Sequence, residues 1–377
     1  MAYKIFKPPS EWTPPDIFPI EIFKDADEIA IDLETRDPNL KSKGPGYVRG
    51  DGEAVGISIA CDGYADYFPF SHEAGFNFPK KRVIDFIKEI CALPCDKIFH
   101  NATYDVGWLH REGVTVKGRI IDTMIVAPLI NENMYWYTLN SLGQEYLQEG
   151  KSEAELRQAA EEWGVDPKAE MWRLPSAYVG TYAAQDAALT LKLWNHFKIH
   201  LEDQNLWNIF NLETDLFPAL FNMKLTGVRV DLERADGLKK QLVTKEQKLI
   251  KEVAKESGIK EVRIWAATSV AQVFDACKIP YNHTAKGAPS FTKGFLASQK
   301  HPVAQMIMKI RELNKAHSTF IDTIIKHEHN GRIHADIRQL KGETGGTVTG
   351  RLSMSNPNLQ QVPARDKEIG PLIRSLF

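Results

Sequence analysis

The chain has 377 residues, of which 43% are hydrophobic and 25% are charged, and its formal net charge is −2. This composition is typical of a soluble protein with two or three domains, and it neither requires nor excludes nucleic acid as a partner. No apolar run approaches the roughly 18 residues of a membrane span, and the four cysteines form no metal-binding or disulfide pattern. We therefore predict a cytoplasmic protein with reduced thiols and no membrane partner.

An apolar run leads directly into two acids near the start of the chain, at Ile29-Ala30-Ile31-Asp32-Leu33-Glu34. The run predicts a buried strand that ends where Asp32 emerges. Because residues two apart on a strand share a face, Asp32 and Glu34 should point to the same place. Two close carboxylates repel each other unless a cation lies between them, and oxygen ligands suit Mg²⁺ or Mn²⁺. Taken alone, the pair is more typical of a polar strand end in solvent.

The segments that follow alternate between strand and helix patterns. Ala54–Ala60 and Tyr64–Phe70 flank Asp62-Gly63, which predicts a hairpin, and Lys80–Ala92 has the spacing of a helix. The alternation continues to about residue 200. It predicts an α/β fold in which helices cover a mixed sheet.

A second acidic motif follows a short predicted strand, at Asn101-Ala102-Thr103-Tyr104-Asp105. Asn101 is a preferred residue at a helix N-terminus, and a helix that starts there places Asn101 and Asp105 on one face. The ordinary explanation is a capped helix with a surface Asp. Asp122 precedes another apolar helical run, so we interpret it as a helix cap and not as a further acid of a site.

Tyr182 and Asp186 form a third motif, inside a segment with helical spacing from Tyr178 to Phe197. Their four-residue separation places them on one helix face. An Asp buried unpaired on this otherwise apolar face would cost several kcal/mol. Asp186 should therefore be exposed or should bind a cation, whereas Tyr182 alone would be interpreted as a core residue.

These three motifs together resemble the signatures of the proofreading 3′–5′ exonuclease domain of the DEDD superfamily, in its tyrosine-bearing branch. The shared patterns are Asp-x-Glu, Asn-x-x-x-Asp with an aromatic residue before the Asp, and Tyr-x-x-x-Asp, in that order. The resemblance covers residues 20–205. It implies a ribonuclease-H-like fold, phosphodiester hydrolysis with two Mg²⁺ or Mn²⁺ ions, and contact between Asn101 and the terminal nucleotides.

The same resemblance implies a role for each acid. Asp32 would bridge the two metal ions, and Glu34 and Asp186 would complete the site of the ion that carries the nucleophile. Asp105 would hold the second ion, largely through water. Tyr182 would orient the attacking water and assist its deprotonation.

Two charged segments lie outside these motifs. Lys151 to Leu174 is charged and helix-forming, and we interpret it as a solvated excursion. After about Asp203 an apolar helix ends at Gly227, a natural C-terminal cap, and Leu232–Ser257 predicts a long helix with six lysines. We interpret the lysines as a solvated face, with contact to a phosphate backbone as the alternative.

The stretch Thr349–Pro363 is polar and turn-rich, and it suits contact with a nucleic-acid backbone or groove. Its Thr-Gly-Arg-Leu-Ser and Pro-Asn-Leu-Gln elements closely resemble a signature of the family A DNA polymerases, the bacterial DNA polymerase I group. The resemblance implies that Arg351 reaches the minor groove of primer–template DNA and that Arg365 is a second basic contact. Gly-Val-Arg-Val-Asp at 227–231 and the sequence at 315–320 resemble the family's entry to the thumb and return to the palm.

By this resemblance, residues 1–205 form the 3′–5′ exonuclease domain, 206–330 the palm entry and a mainly helical thumb, and 331–377 a partial palm. The palm segment stops before the family's first polymerase catalytic Asp. We therefore expect the remaining palm and the fingers on a second polypeptide, as in a split bacteriophage polymerase, or a truncated chain. A palm cut at this point should leave apolar faces without cover, such as those of Ile337, Leu340, Ile373 and Leu376–Phe377.

Two other functions remain possible from the sequence alone. A ribonuclease D-like RNA-trimming enzyme would share the four acids and the Tyr, although it has no need of a palm segment. A non-catalytic DNA-binding subunit would have no need of the acids. We predict a proofreading exonuclease that acts in DNA replication and has no polymerase activity of its own.

Overall fold

The computed structural model describes residues 12–343, 345–363 and 366–377. The chain forms two compact units. The first runs to Thr226 and includes Ala335–Asn356, whereas the second comprises Gly227–His334 and Pro357–Phe377. No helix of the described residues is both long enough and apolar enough to cross a membrane.

The first unit is built on a five-stranded mixed sheet with the strand order β3-β2-β1-β4-β5. β1 is central: it pairs antiparallel with β2 and parallel with β4, while β2–β3 is antiparallel and β4–β5 is parallel. The predicted hairpin and the predicted mixed α/β fold are confirmed. The strands are β1 (Glu28–Arg36), β2 (Glu53–Cys61), β3 (Tyr64–Pro69), β4 (Asp96–Phe99) and β5 (Ile120–Asp122).

Helices cover both faces of this sheet. They are α1 (Ile20–Lys24), α2 (Leu40–Lys43), α3 (Lys80–Ala92), α4 (Ala102–Arg111), α5 (Thr123–Ile130), α6 (Leu139–Leu147), α7 (Ala154–Trp163), α8 (Gly180–Asp203) and α9 (Trp207–Thr226), with 3₁₀ turns at Met171–Arg173 and Ser176–Tyr178. A separate ribbon of β11 (Asp336–Arg338) and β12 (Ser353–Ser355) belongs to the same unit.

Alternation along β1 divides its side chains between two cores. Ile29, Ile31 and Leu33 are buried in one cluster with side chains of α3 and α4, whereas Ala30 lies in the opposite cluster with side chains of α8. Asp32 and Glu34 follow Ala30 at intervals of two, so they share the face that α8 covers. The alternation therefore fixes which helix the two acids meet.

The predicted end of β1 at Asp32 is wrong. β1 continues to Arg36, because its pairing with β2 extends to the pair Arg36 and Glu53, with an irregularity between Glu34 and Thr35. Both acids consequently lie within a paired strand, where the backbone is held in place, and not at a frayed end.

The second unit is mainly helical. Its helices are α10 (Leu232–Ser257), α11 (Ala267–Ala276), α12 (Lys293–Ser298), α13 (Pro302–Lys315), α14 (Asp322–His327) and α15 (Ile369–Arg374), with a π-helical segment at Ala316–Ile321 and a 3₁₀ turn at Leu359–Gln361. Its short strands are β6 (Val228–Arg229), β7 (Asn282–His283), β8 (Pro289–Ser290), β9 (Glu328–His329) and β10 (Arg332–Ile333).

The long helix α10 has the predicted bounds, and five of its six lysines are exposed. Its opposite face is anchored by the buried Glu246, which accepts hydrogen bonds from Asn314 Nδ2 (2.9 Å) and His317 Nε2 (2.5 Å). The solvated lysine face is thus confirmed. Contact of that face with phosphates stays a prediction.

The expectation of uncovered apolar residues near the end of the chain is wrong for Leu340, Ile373 and Leu376, which are buried, whereas Ile337 is half-buried and Phe377 is exposed. Ile373 and Leu376 are buried, at 0% and 1% exposure, in a cluster that includes Leu238 of α10 and Ile321. The turn after α15 is also held next to β6, because Asp231 N donates to Leu376 O (2.8 Å). The second unit therefore covers Ile373 and Leu376 with its own helices.

Candidate active site

Three carboxylates from two elements converge in the first unit. Asp32 and Glu34 of β1 and Asp186 of α8 each offer an oxygen, and these oxygens all lie within 4.8 Å of one another. The three acids are distant in sequence, so only the packing of α8 on the sheet brings them together. The motif in the first two turns of α8 thus meets the motif on β1, as the resemblance implied.

Small side chains allow α8 to approach the sheet closely. The surfaces that meet include Ala30 of β1, Ala60 of β2, and Ala183 and Ala187 of α8, all of them at most 1% exposed. A large side chain at any of these positions would hold the helix further away. Asp186 lies between Ala183 and Ala187, so close packing at the alanines brings its short side chain to the acids of β1.

Asp105 lies in the first turn of α4 and is also buried, at 3% exposure. Its Oδ1 accepts a hydrogen bond from Leu33 N at 3.0 Å. The pairing of β1 with β4 stops at Ala30, so Asp105 occupies the edge of β1 that β4 leaves free. Asp105 is therefore held next to Asp32, although it is not one of the three acids whose oxygens lie within 4.8 Å of one another.

The cap of α4 differs from the prediction. Asn101 is the residue before the helix, but its backbone is left-handed (φ 71°) and its side chain makes no capping hydrogen bond with the described residues. Asp122 caps the helix instead, since its carboxylate accepts from the backbone N–H of Asn101 (2.9 Å) and Ala102 (2.8 Å). The same carboxylate caps α5 through Met124 N (2.9 Å), so the interpretation of Asp122 as a cap is confirmed.

Asn101 is consequently free to face a groove. Within the first unit, a groove of about 620 Å³ is lined by Asn101, Tyr104, Lys224, Lys341 and Asn356 together with neighbouring residues of the ribbon. Its lining combines three lysines and one arginine with three acids and several apolar side chains, and the basic groups suit contact with an anionic chain.

Burial and mutual repulsion disfavour full ionisation of the acids. Desolvation, with the charge of Asp186, raises the pKa of Asp32 from its ordinary value of 3.8 to about 7. Desolvation, with the charge of Asp32, also raises the pKa of Glu34 and the pKa of Asp105 well above their usual ranges. A cation bound among them would remove this penalty.

The oxygen set fits a divalent cation. Every candidate ligand is a carboxylate, the donor type that Mg²⁺ and Mn²⁺ prefer. Oδ1 of Asp186 is buried and has no hydrogen-bond partner within the described part of the chain. Such an atom is costly unless it is coordinated. Asp32, Glu34 and Asp186 are therefore the residues that could hold an ion here.

Lys151 is part of the site, and the sequence interpretation missed it. Its Nζ lies 2.5 Å from Asp186 Oδ2 and 3.2 Å from Tyr182 Oη. Its positive charge lowers the pKa of Asp32 and of Asp186, although burial outweighs this effect. No periodicity could have located Lys151, because it precedes α7 in a loop whose position depends on tertiary packing.

Arg351 and Arg365 were the two basic residues predicted to contact DNA. Arg351 is exposed in the turn before β12, where its carbonyl accepts from Thr347 Oγ1 (2.7 Å). The structure does not bring Arg351 into the group of three carboxylates. Arg365 lies outside the described residues.

Comparisons with known proteins match both halves of the chain. Residues 19–202 match the 3′–5′ exonuclease family, and residues 232–377 match DNA polymerase family A. The chain belongs to the family A DNA polymerases. A DNA-directed DNA polymerase of Pseudomonas phage M6 is 35% identical to this family A chain, and the alignment covers 98% of the chain and 57% of that protein.

Two further relatives extend the comparison. DNA polymerase DpoZ of Salmonella phage PMBT28 is 31% identical over 93% of the chain and 57% of its own length, and DNA polymerase I of Chloroflexus aurantiacus is 28% identical over 95% of the chain and 39% of its own length. The POL domain of Pol1 from M. smegmatis, solved with DNA primer-template and dNTP, shares the fold: the TM-score is 0.72 at 21% identity, over 97% of this chain and 58% of that one. The chain thus spans little more than half the length of its phage relatives.

The pKa of Asp32 generates a prediction on stability. In EDTA, the free energy of unfolding of the wild-type chain should fall relative to that of Asp32→Asn as the pH rises from about 4 to about 7. Over this range the folded chain keeps a proton that the unfolded chain releases, so unfolding becomes easier by up to about 1.4 kcal/mol per pH unit.

Urea unfolding of both variants at steps of pH measures this difference. Below about pH 3 the difference should be constant, since Asp32 is then protonated in both states. A difference that stays constant up to pH 8 would show that Asp32 is not destabilised by its surroundings.

Proposed function

We propose that this family A chain hydrolyses DNA from its 3′ end as a two-metal-ion proofreading exonuclease in DNA replication. The observation that supports it most is the convergence of Asp32, Glu34 and Asp186 from two elements, with Asp105 beside them. A buried group of like charges has no stabilising role, because each member raises the pKa of its neighbours. Such a group is expected where a cation and an anionic substrate are bound.

The ligand roles that we propose follow the sequence motifs. Asp32, Glu34 and Asp186 would hold one Mg²⁺ or Mn²⁺ ion, and Asp32 and Asp105 would hold a second. When bound, the ions would supply an activated water and neutralise the charge that develops on the phosphate oxygens. The carboxylates themselves would be ionised in that state, because the cations offset the repulsion that otherwise keeps them protonated.

Tyr182 would orient water by hydrogen bonding and would not act as a phenolate. It is buried on the same helix face as Asp186, and desolvation together with the charge of Asp186 raises the pKa of Tyr182 well above its usual range. A neutral hydroxyl can donate one hydrogen bond and accept another. Tyr182 would thus position the attacking water, and a nearby carboxylate would have to accept the proton.

We further propose that DNA is bound by residues beyond the carboxylates. Asn101 would contact the terminal nucleotides from the groove that it lines, and Arg351 and Arg365 would contact the primer–template duplex. The division into an exonuclease domain (1–205), a palm entry and thumb (206–330) and a partial palm (331–377) is part of this proposal. A second polypeptide with the polymerase acids, and a location in the cytoplasm of a phage-infected host, stay predictions.

An RNA-trimming enzyme is disfavoured because residues 232–377 match DNA polymerase family A. A non-catalytic DNA-binding subunit is disfavoured because the four acids and Tyr182 lie together. Comparing Mg²⁺-dependent shortening of labelled DNA and RNA single strands separates these candidates. We expect the DNA strand to be shortened from its 3′ end.

Loss of a metal ligand should nearly abolish the nuclease. Asp32→Ala and Asp186→Ala should each lower the hydrolysis rate of a 3′-labelled single strand by at least about 10³-fold, because each removes a ligand that the chemistry requires. Tyr182→Phe should cost less than Asp186→Ala, on the scale of about 10²–10⁴ for a residue that assists proton transfer.

Asp85→Ala is the matched control, since Asp85 is a half-exposed acid of α3 that pairs only with Lys81 in the described structure. Its rate should equal that of the wild-type chain. Full activity of Asp32→Ala would refute the assignment of the site.

Arg351 should affect the binding of duplex DNA and not the hydrolysis of single strands. Arg351→Ala should weaken primer–template binding about tenfold, as expected for the loss of one arginine contact, while the rate on single-stranded DNA stays nearly unchanged. The reason is its position in the turn before β12, outside the carboxylate group.

Fluorescence anisotropy with a labelled primer–template measures the affinity, and Arg263→Ala, which removes another exposed arginine, is the control. An equal loss of both activities in Arg351→Ala would point to a folding defect, and unchanged duplex affinity would remove Arg351 from the proposed interface.

A further inference from the structure

Lys151 is the feature of the site that the proposed function does not use. Its side chain is only 13% exposed, and its ammonium reaches the carboxylate group from the loop between α6 and α7. Besides the contacts with Asp186 and the Tyr182 hydroxyl, the ammonium lies 5.0 Å from the centroid of the Tyr182 ring. The ammonium of Lys151 is therefore a buried part of the carboxylate site.

The backbone around Lys151 is held at three consecutive residues. Lys151 N donates to Asn140 Oδ1 of α6 (2.9 Å), and Ser152 N donates to Gln185 Oε1 of α8 (2.8 Å). Gln185 Nε2 donates in turn to Gly150 O (3.2 Å). Because Gln185 is adjacent to Asp186, the same turn of α8 positions both the loop and the acid that Lys151 meets.

The ammonium and a divalent ion compete for the same carboxylate. Mg²⁺ and Mn²⁺ bind oxygen ligands at about 2.0–2.2 Å, so an ion that shared Asp186 Oδ2 would lie within about 5 Å of the ammonium, whose Nζ is 2.5 Å from that oxygen. Two cations at that separation repel strongly in a buried site. The lysine side chain has four flexible carbons, so it can move away while the loop stays in place.

We infer that Lys151 is the resident counter-ion of the carboxylate site: it occupies the place of a divalent ion in the metal-free chain and must leave Asp186 when the ion binds. The inference rests on the proposed function only because it takes these carboxylates to be a site for divalent metal. It explains how the four acids can remain close together before metal is bound, since one positive charge offsets part of their repulsion. It also implies that the loop lowers the metal affinity of the site.

The affinity for Mn²⁺ tests this role without any assay of hydrolysis. Lys151→Met keeps the length of the side chain and removes the charge, so it should bind Mn²⁺ at least about fivefold more tightly than the wild-type chain, measured by electron paramagnetic resonance of free Mn²⁺. Lys151→Arg retains the charge and should bind as weakly as the wild type. Lys192→Met, which removes an exposed lysine of α8 paired with Glu149, is the control and should change nothing.

A measurement on the unmodified chain covers the case in which Lys151→Met does not fold. Acetylation of lysines by an active ester, read by mass spectrometry, should be slow at Lys151 in EDTA and at least about tenfold faster at saturating Mn²⁺, whereas Lys192 should react equally in both. Unchanged labelling of Lys151, or equal Mn²⁺ affinity of Lys151→Met and the wild type, would overturn the inference. If the predicted Mn²⁺ effects were observed but the chain had no nuclease activity, the proposed function would be refuted and the role of Lys151 would stand.

Discussion

Asp32, Glu34 and Asp186 place carboxylate oxygens within 4.8 Å of one another at a buried site, where each charge raises the free energy of the others. The fold keeps them there by fixing the backbone that carries them. β1 pairs with β4 from Glu28 to Ala30 and with β2 from Ala30 to Arg36, so the backbone of its acids cannot relax away from α8. Desolvation, together with the repulsion between the fixed carboxylates, consequently raises the pKa values of Asp32 and Glu34.

The close approach of α8 to the sheet depends on residues that carry no charge. Ala30, Ala60, Ala183 and Ala187 form the contact surface, and α8 can lie near enough for Asp186 to meet β1 only because these side chains are small. Gly56, opposite Glu34 on β2, serves a related purpose. A Cβ at Gly56 would overlap the hydroxyl of Tyr67, whose ring also lies in the layer between the sheet and α8. The packing of this layer therefore determines how closely the acids approach one another.

The sequence predicted the acids well because simple periodicities relate them. Period two placed Asp32 and Glu34 on one face, and a separation of four placed Tyr182 with Asp186. The bounds of α3 and α10 also followed from spacing. These are local properties, and each is determined by the residues that show it.

The predictions that were wrong concerned features that depend on contacts between distant segments. The end of β1 depended on pairing with β2, the cap of α4 was supplied by Asp122 and not by Asn101, and Ile373 was covered by helices of its own unit. Lys151 was interpreted as solvated because its neighbours in sequence are charged, although Asn140 and Gln185 hold its loop against the site. Tertiary contacts of this kind leave no periodic signal.

The central claim is that the fold assembles these acids to bind divalent metal. Anomalous diffraction from crystals of the chain soaked in Mn²⁺ tests it most directly. The account predicts a manganese peak in contact with carboxylate oxygens of Asp32, Glu34 and Asp186. Crystals with Mn²⁺ bound elsewhere but no peak at these three residues would contradict it.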